Sequence, residues 1–395
     1  MRFLRNLAVA GALVYACLLI ARYALPERFA VNAPIAHFLF GWEGDSAAAV
    51  EPLSVAKGFS IGLYAADIQY ARMLRFTSNG DLLVSTPRNG EIKILGADRN
   101  GDDRADSVRI LISDLNSPHG IDIFEGQLYV AEEDAVGRIA FDPLTGKVSG
   151  KYERIVSGLP DDGGHSTRTI RVGPDRKLYV TVGSSCNACL EQDERRAAML
   201  RFDLDGGNAE IYARGLRNSV GFDWRPQDGA IYATDNGRDM LGDNFPPCEL
   251  NRIEQGAHYG WPYFNGNNQP DPDNSSAPPE IIAGAVVPVH GFRAHNAPLG
   301  ISFVRNKNAP PPLQGAALVA LHGSWNRTVK DGYKVVSLHW LDDGRIEERD
   351  FLWGFENNNE LVGRPVDVAE GPDGAIYVSS DYSGAVYRIA WMEKQ

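Results

Sequence analysis

Arginine, histidine and asparagine recur along the chain in short segments, each placed ahead of a β-type run. The six segments are Ala71-Arg72, Pro118-His119-Gly120, His165-Ser166-Thr167-Arg168, Arg217-Asn218, His295-Asn296-Ala297-Pro298 and Gly363-Arg364-Pro365. Guanidinium and amide groups bind carboxylates and other oxygen-rich anions, and imidazole can accept a proton near neutral pH. Taken singly, each of these side chains is more often a solvated or structural residue. Gathered in one place, they would form an electropositive, hydrogen-bonding pocket for a compact anionic ligand.

A repeated phrase of the Leu-Tyr-Val type predicts the elements that position these segments. It occurs as Leu82-Leu83-Val84, Leu128-Tyr129-Val130, Leu178-Tyr179-Val180, Ile231-Tyr232-Ala233, Ala317-Leu318-Val319 and Ile376-Tyr377-Val378. Each phrase follows a glycine or a charged turn and precedes a second short β run. Short strands and glycine turns that repeat at about 50 residues are typical of propeller blades. The strands lack helical patterns between them, which argues against a βαβ fold. The sequence therefore predicts an all-β, six-bladed β-propeller.

The register of the repeat predicts where the polar segments lie. Five of the six segments stand nine to fourteen residues ahead of their phrase, where the innermost strand of a blade begins. In blade five the distance is longer because Arg305 to Pro312 are inserted. Equivalent positions of the inner strands meet around the central channel at one end. We therefore expect the arginine, histidine and asparagine side chains to share one channel mouth.

Charge and the N-terminal composition set limits on partners and location. The net charge of −12 argues against nucleic acid, which is bound through basic patches. An apolar run from Leu7 to Ala21 has Arg2 and Arg5 before it and Arg22 after it. Because no good cleavage site follows, a signal anchor is slightly favoured over a cleaved signal peptide. Both place the body outside the cytoplasm, periplasmic and membrane-anchored or secreted. The predicted organisation is a signal peptide or anchor over residues 1–23, a linker over 24–50 and the propeller over 51–395.

Cysteines outside the apolar run predict one structural disulfide. Cys186 and Cys189 are three positions apart, and an exported chain can join them in a small loop. A metal site would need two more soft ligands, and none stands nearby in the sequence. Cys248 is expected to remain unpaired.

Two acidic stretches are candidates for calcium. The loop from Asp98 to Asp106 places oxygen-bearing side chains at Asp98, Asn100, Asp102 and Asp106, with Gly101 allowing a sharp turn. An ordinary Asx-turn loop is the alternative interpretation. A longer insertion between blades four and five holds Asp235 to Asp239, Glu249 and Tyr259, followed by an Asn- and Pro-rich loop from Asn265 to Pro279. A solvated acidic loop is the alternative there.

Several motifs together resemble a known family, the soluble pyrroloquinoline quinone (PQQ)-dependent sugar dehydrogenases. They are Gly215-Leu216-Arg217-Asn218-Ser219-Val220-Gly221, Asp235-Asn236-Gly237, Glu249-Leu250-Asn251 and Tyr259-Gly260-Trp261-Pro262. The L-sorbosone dehydrogenase-like branch is the more similar one, through Ala294 to Gly300, Leu321 to Arg327 and Gly363 to Val368. The resemblance covers roughly residues 52 to 391. It implies a quinoprotein that oxidises a sugar or sugar aldehyde, with PQQ over the channel mouth and Ca²⁺ beside it.

The resemblance also implies roles for individual residues. His165 would be the general base that takes the substrate hydroxyl proton, and Arg217 would stabilise charge on the quinone. His119, Asn218, His322, Arg327 and Arg364 complete the implied cofactor site together with Arg217. Carbonyls of Gly237 and Arg238 would hold the calcium that polarises PQQ, and Glu249 with Tyr259 match a further calcium position.

The chain departs from the glucose-oxidising members of that family in ways that bear on its substrate. His119 stands where they have Gln, His322 to Ser324 replace a Lys, Val366 replaces a second Arg, Gly164 replaces an acid before the catalytic His, and Cys248 replaces an acid before Glu249. These differences fit the sorbosone-like branch better. A calcium-dependent sugar lactonase on the same fold and a catalytically silent binding propeller are the competing classes. Since no haem-attachment motif is present, electrons would pass to an external quinone or cytochrome.

Overall fold

A computed structural model of the chain describes residues 27–32 and 50–392. The predicted N-terminal hydrophobic segment, 1–23, and most of the predicted linker lie outside these residues. The described part contains 29 β-strands, one α-helix, α1 (Pro279–Gly284), and three single-turn 3₁₀ helices at Glu27–Phe29, Pro87–Asn89 and Pro311–Leu313. None of the helices in these ranges is long and apolar enough to cross a bilayer.

The strands form six antiparallel blades around one channel, as predicted. β1 (Ser54–Val55) and β2 (Phe59–Ala65) come first. Blade one is β3 (Leu74–Phe76), β4 (Leu82–Thr86), β5 (Glu91–Gly96) and β6 (Ser107–Ile112), and blade two is β7 (Ile121–Phe124), β8 (Gln127–Ala131), β9 (Ala135–Asp142) and β10 (Lys147–Ser157). Blade three is β11 (Arg168–Val172), β12 (Leu178–Val182), β13 (Ala198–Phe202) and β14 (Glu210–Arg214).

The second half of the molecule repeats the pattern with additions. Blade four begins with β15 (Phe222–Trp224), β16 (Ile231–Asp235) and β17 (Cys248–Ile253); after the small hairpin β18 (Phe264–Asn265) and β19 (Gln269–Pro270), it is completed by β20 (His290–Phe292). Blade five is β21 (Pro298–Phe303), β22 (Ala317–Leu321), β23 (Lys334–Trp340) and β24 (Ile346–Trp353), with β1 paired on its edge. A second hairpin, β25 (Glu356–Asn357) and β26 (Glu360–Leu361), precedes blade six, which contains β27 (Pro365–Glu370), β28 (Ile376–Ser380) and β29 (Ala385–Trp391).

The sequence predicts the long insertion between blades four and five, and this prediction is wrong. The insertion lies inside blade four, because β20 pairs with β17 and is therefore that blade's outer strand. Only three residues, His290–Phe292, mark this strand, and so short a run carries no readable alternation in the sequence.

The ring is closed by the start of the chain. β2 pairs antiparallel with β29 from Phe59–Trp391 onward, so blade six takes its outer strand from the N-terminal side. This pairing covers the open side of β29 and gives blade six four strands like the other blades.

The repeated phrases form the second strand of each blade and are buried on both faces. β4, β12, β16, β22 and β28 have no residue that is more than slightly exposed. Such a strand lies between two neighbouring blades, so both faces are apolar, and the run is continuous rather than alternating.

The inner strands approach one another closely at the channel. A Cβ on Gly120 would lie 2.4 Å from the amide nitrogen of Ile170 in the next blade, and one on Gly221 would lie 2.1 Å from the carbonyl oxygen of Leu299. Only glycine fits there. The inner strands of all six blades start at one end of the channel, and the second strands finish at that same end, which we call the mouth.

Candidate active site at the channel mouth

His165 stands at the mouth with one ring nitrogen committed and the other available. Its Nδ1 lies 2.8 Å from the carbonyl oxygen of Ser184 and 3.0 Å from the Ser184 hydroxyl. Since a carbonyl oxygen can only accept, Nδ1 carries the hydrogen and Nε2 keeps its lone pair. Burial, with the Arg217 guanidinium nearby, lowers the pKa of His165 from 6.5 to about 4. The imidazole is therefore neutral and able to accept a proton at neutral pH.

Two neighbours fix the position of His165. Arg168 is fully buried and donates to the carbonyl oxygen of His165 at 2.8 Å, which holds the preceding loop in place. Gly183, just after β12, lies between His165 and Asn218: a Cβ there would come within 2.7 Å of the His165 Cβ and of the Asn218 Oδ1. The two side chains are close because position 183 has none.

Arg217 is buried beside His165, and every one of its N–H groups has a protein acceptor. Nε and Nη2 donate to the carbonyl and side-chain oxygens of Asn187, Nη1 donates to the carbonyl oxygens of Asn236 and Gly237, and Nη2 also reaches Asp239 Oδ2 at 3.3 Å. The residue therefore supplies positive charge to the mouth and ties the blade-three loop to the 236–239 loop. Burial lowers its pKa, but an arginine remains charged at neutral pH.

A second group of charges lies on the side of blades one, five and six. Asp381 binds Arg72 Nη1 at 2.8 Å and His322 Nε2 at 2.9 Å. Arg364 is 3% exposed and donates to the carbonyl oxygens of His322 and Gly323. Burial alone would raise the pKa of Asp381, but His322 and Arg72 hold it well below its usual range. Asp381 is thus an ionised anchor for Arg72 and His322.

His119 presents a buried nitrogen without a partner. Its Nδ1 lies 3.4 Å from the Thr169 hydroxyl, whose own hydrogen is donated to the carbonyl oxygen of Val220. The hydroxyl therefore accepts from Nδ1, so Nε2 is a bare acceptor, and it has no hydrogen bond within the described part of the chain. Burial lowers the pKa of His119 well below 6.5 and keeps it neutral.

All four residues expected to hold calcium beside the cofactor line one small cavity. Gly237, Arg238, Glu249 and Tyr259 surround about 20 Å³ of space, together with Arg217 and Asp235. That volume holds one ion or one water. Burial raises the pKa of Asp235, and burial with the nearby Asp235 carboxylate raises the pKa of Glu249. The Asn236 side-chain oxygen, also at this cavity, is buried without a partner.

Two of the expected ligands are already used by protein groups. The Gly237 carbonyl accepts from Arg217, and the Tyr259 hydroxyl donates to the Arg252 carbonyl at 2.6 Å. The Arg238 guanidinium turns to Asp271 and Asp273 in the long insertion, at 2.7 and 2.8 Å. The Asp235 carboxylate accepts from the Asn218 amide, and the Glu249 carboxylate accepts from Gly266 and Asn251, but each keeps further lone pairs and its negative charge. Together with the unpartnered amide oxygen of Asn236, they are the oxygens best suited to a cation.

The loop from Asp98 to Asp106 has the hydrogen bonding of its alternative interpretation, an Asx-turn loop. Asp98 accepts from the backbone of Gly101 and Asp103, Asp102 accepts from Arg104, and Asp106 accepts from Arg99. Asn100 likewise bonds Asp102 within the loop. These oxygens are turned to their own backbone, and within the described residues the Asp carboxylates of this loop do not form a group close enough to hold a metal ion.

Arg327 belongs to the loop between β22 and β23, but protein groups already use its guanidinium. It donates to the carbonyl oxygens of Val329, Asp243 and Ala294, so it joins loops rather than offering N–H groups to a ligand. Cys186 and Cys189 form the predicted disulfide, and Cys248 is free and buried. Glu191 lies near the two sulfurs, but in the disulfide they are not available as metal ligands.

Sequence reasoning missed Asp381, Ser184 and Asn187, named Asp239 only as part of an acidic stretch and did not select Arg72 from its segment. Four of these five residues follow the end of a second strand, β12, β16 or β28, and such strands finish at the mouth. The register of the repeat predicts the ends of the second strands as well as the starts of the inner strands to lie at the mouth. The strand ends identify Asp239 and Asp381, the carboxylates that bind Arg217 and Arg72.

Comparison with known proteins agrees with this geometry. The family model described as TrAA12-like matches residues 53–263 and 283–392. An uncharacterized protein of Borreliella burgdorferi is 34% identical over 70% of this chain and 76% of its own length. The pyrroloquinoline quinone-dependent pyranose dehydrogenase of Coprinopsis cinerea is 26% identical over 86% of this chain, which spans 55% of that enzyme's length.

Solved structures show the same fold. The PQQ domain of the Coprinopsis cinerea pyranose dehydrogenase, in its holo form, superposes with a TM-score of 0.72 at 25% identity, over 85% of this chain and 96% of that one. The apo form of the aldose sugar dehydrogenase from Escherichia coli superposes with a TM-score of 0.65 at 18% identity, over 84% and 99% of the two chains.

Proposed function

The chain belongs to the TrAA12-like family, and from that premise we propose that it oxidises a sugar with pyrroloquinoline quinone as cofactor and calcium as its metal. The relatives named above as PQQ-dependent sugar dehydrogenases support the substrate class and the cofactor. The observation that carries the proposal is the neutral His165, with a free Nε2, beside a buried Arg217.

His165 acts as the general base. A sugar hydroxyl placed against Nε2 would lose its proton to that atom while the hydrogen on the same carbon leaves with its electron pair. When bound, the quinone supplies the acceptor for that hydrogen and those electrons. Ser184 fixes the tautomer and orientation of the imidazole that the proton transfer requires, and Arg168 holds the His165 backbone through its carbonyl oxygen.

The mouth fits the cofactor's carboxylates and oxygens. Arg364 and Arg72 offer two guanidinium groups on the side facing away from His165, and Arg72 has a buried Nε without a partner. His119 Nε2 is a second buried polar atom left over inside the protein. Buried polar atoms without partners are uncommon in folded proteins and are expected where a ligand completes the bonding.

The cavity between Asp235 and Glu249 fits a divalent cation. Two buried carboxyls with raised pKa values repel each other when both ionise, and a cation of charge +2 between them removes that penalty. Calcium prefers carboxylate, amide and carbonyl oxygens of this kind. The cation would also stand next to Arg217 and the 236–239 loop and would fix their positions.

The finer identity of the substrate is part of the proposal. His119 replaces the Gln of the glucose-oxidising members, and an imidazole acceptor differs from an amide that can donate and accept. We place the chain with the sorbosone-like branch, acting on a related aldose or on a sugar aldehyde, whose hydrate carries the hydroxyl that His165 deprotonates. The electron acceptor is an external quinone or cytochrome.

The N-terminal run is proposed to remain as an anchor, with the propeller on the oxidising side of the membrane. The Cys186–Cys189 disulfide supports this location, because disulfides persist in oxidising compartments. N-terminal sequencing of the mature protein from the membrane fraction tests it. A start at or near Met1 agrees with the proposal, and a start between residues 22 and 52 contradicts it.

Steady-state turnover tests the chemistry. The metal-free apo protein is mixed with a panel of aldoses and sugar aldehydes and an artificial dye. Dye reduction should appear only after addition of PQQ with Ca²⁺, and chelation should lower it. Sugar lactones, with Ca²⁺ alone, form the second arm. Lactone hydrolysis without PQQ, or equal dye reduction without PQQ, would exclude the quinoprotein function.

A further inference from the structure

A short segment of the N-terminal region is fastened to the mouth face of the propeller. Residues 27–32 lie against the loop between β22 and β23, which is at the mouth because β22 ends there. The Asn32 amide donates to the Trp325 carbonyl at 2.7 Å, and its side-chain Nδ2 donates to the Thr328 carbonyl at 3.2 Å. Lys330 Nζ donates to the Asn32 Oδ1 at 2.6 Å.

Asn326 joins this segment to the active-site loop. The side chain is 1% exposed, and its Nδ2 donates to the carbonyl oxygens of Arg28 and Ala30. Its Oδ1 accepts from the backbone of Met240 at 2.8 Å. Met240 follows Asp239, the residue that contacts Arg217 and His295. Asn326 thus links residues 27–32 to Met240, the residue next to Asp239, whose side chain binds Arg217.

Apolar side chains project into solvent around the segment. Phe29 is 43% exposed, Val31 is 55% exposed and Val329, on the loop that the segment contacts, is 66% exposed. Val31 and Val329 adjoin Asn32 and Thr328, which a hydrogen bond joins, so these exposed side chains are neighbours. Exposed apolar groups that lie together mark a surface that contacts another apolar phase.

The distance to the apolar run of the sequence is short. Five residues, 22–26, separate the run that ends at Ala21 from Glu27. Even when fully extended, they span at most about 20 Å. A bilayer that holds the run therefore lies within about that distance of the mouth face.

We infer that the blade-five side of the mouth face rests on a lipid bilayer, with Phe29, Val31 and Val329 entering the interface, while the side of blades three and four, where His165 and Arg217 stand, stays open to sugar in solution. The net charge of −12 opposes binding to anionic lipid, so the apolar run and these side chains supply the attraction. The inference rests on retention of the N-terminal run, and not on the proposed redox chemistry. In this orientation, an electron carrier dissolved in the lipid would be closer to the mouth than it would be to the opposite face of the propeller.

Two single-cysteine variants of the full chain test the orientation. Val329→Cys places a thiol on the mouth face, and Leu144→Cys places one in the turn after β9, at the opposite face; both native side chains are about two-thirds exposed, at 66% and 67%. Cys17→Ala in both removes the thiol of the apolar run, while Cys248 is buried and the remaining two cysteines are paired. Each thiol carries an environment-sensitive fluorophore, and the protein is reconstituted into vesicles of zwitterionic and anionic phospholipid.

The mouth-face label should shift to shorter wavelength on reconstitution and be quenched at least severalfold more by nitroxide-bearing lipids than the Leu144→Cys label. Equal quenching of the two labels, or stronger quenching at position 144, would overturn the inference while leaving the anchor intact. Recovery of the chain in the soluble fraction with its N-terminus after residue 21 would overturn both. Dye reduction with PQQ and Ca²⁺, measured on the same vesicles, reports the proposed chemistry separately.

Discussion

At the scale of the residue, the site contains a proton acceptor, His165, and a pair of buried arginines, Arg72 and Arg364, that would bind the cofactor's carboxylates. His165 has a fixed tautomer and a depressed pKa, whereas Arg72 and Arg364 are held by Asp381 and by backbone carbonyls on the other side of the mouth. Substitutions in the two groups should therefore separate turnover from cofactor affinity.

His165→Ala should lower kcat by about 10²–10⁴-fold with little change in PQQ affinity, because it removes the base and no ligand contact. Arg364→Gln should weaken PQQ binding by about 10–100-fold, the usual effect of deleting one charge-assisted hydrogen bond to a carboxylate. Turnover at saturating PQQ and a PQQ fluorescence titration separate the effects. Arg176→Gln, on an exposed arginine paired with Glu125, is the matched control. Near-normal turnover of His165→Ala would move the base to His119 or His322.

The pH dependence of kcat/KM should follow the protonation of the His165 imidazole. The base must be neutral to act, and its pKa in the unliganded protein is about 4. kcat/KM should therefore stay level from pH 7 down to about pH 5 and fall as pH drops through the folded pKa. A fall centred near pH 6.5, the value of an ordinary histidine, would show that burial and Arg217 do not depress the titration in solution.

Asp381→Asn should weaken cofactor binding indirectly, because Asp381 positions Arg72 and His322 and does not itself contact the cofactor. The substitution removes the charge that anchors Arg72 and His322 but keeps the shape of the side chain. We expect weaker PQQ binding, a higher KM for PQQ and an almost unchanged kcat at saturation. Restoration of affinity by Asp381→Glu would identify the carboxylate as the required group, and an unchanged affinity in Asp381→Asn would contradict the assigned role.

At the scale of the element, the ends of the second strands carry as much of the site as the starts of the inner strands. β12 delivers Gly183 and Ser184, β16 delivers Asp235 to Asp239, and β28 delivers Asp381. Gly183→Ala should lower kcat by roughly tenfold or more, because a methyl group would force His165 and Asn218 apart. Gly62→Ala in β2, where an added Cβ meets open space, is the control. Equal kcat values for Gly183→Ala and Gly62→Ala would show that the close approach of His165 and Asn218 across Gly183 is not needed for turnover.

The ends of β16 and β17 form the proposed calcium cavity, and Glu249→Gln tests it through stability. A carboxyl whose pKa is raised on folding destabilises the folded state at pH values above its unfolded pKa, about 4.3 for Glu. At pH 7.5, without metal, the variant should therefore melt a few degrees higher than the natural chain. Added Ca²⁺ should raise the Tm of the natural chain by several degrees and leave the variant nearly unchanged. Melting curves with chelator and with Ca²⁺ decide this, and an equal calcium response in both proteins would place the ion elsewhere.

The sequence predicted elements better than their connections. The six phrases were readable because a strand buried between two blades is a continuous apolar run. β20 was not readable, since three residues beyond a long insertion show no periodicity, and the pairing of β2 with β29 joins segments more than 300 residues apart that share no local signal. Whether the Gly237 carbonyl and the Arg327 guanidinium are available to a ligand depends on their partners in other loops, which spacing cannot give.

At the scale of the whole molecule, the propeller brings residues from all six blades to one end of a channel. The predicted six-bladed fold and the predicted family resemblance are confirmed. Most of the residues predicted for cofactor and metal lie at the mouth or at the adjoining cavity. The Arg327 guanidinium instead joins loops, and the 98–106 loop lies between β5 and β6. The roles of these residues remain predictions.

The most direct measurement is a single turnover of the PQQ-loaded, calcium-loaded protein without any dye. Bound quinone absorbance is followed anaerobically after an excess of aldose or sugar aldehyde is mixed in, for the natural chain and for His165→Ala. The natural chain should lose the quinone absorbance in full, one equivalent per site, and His165→Ala should lose it about 10²–10⁴-fold more slowly. Bound quinone that stays oxidised with every sugar, or that is reduced equally fast in both proteins, would contradict the account.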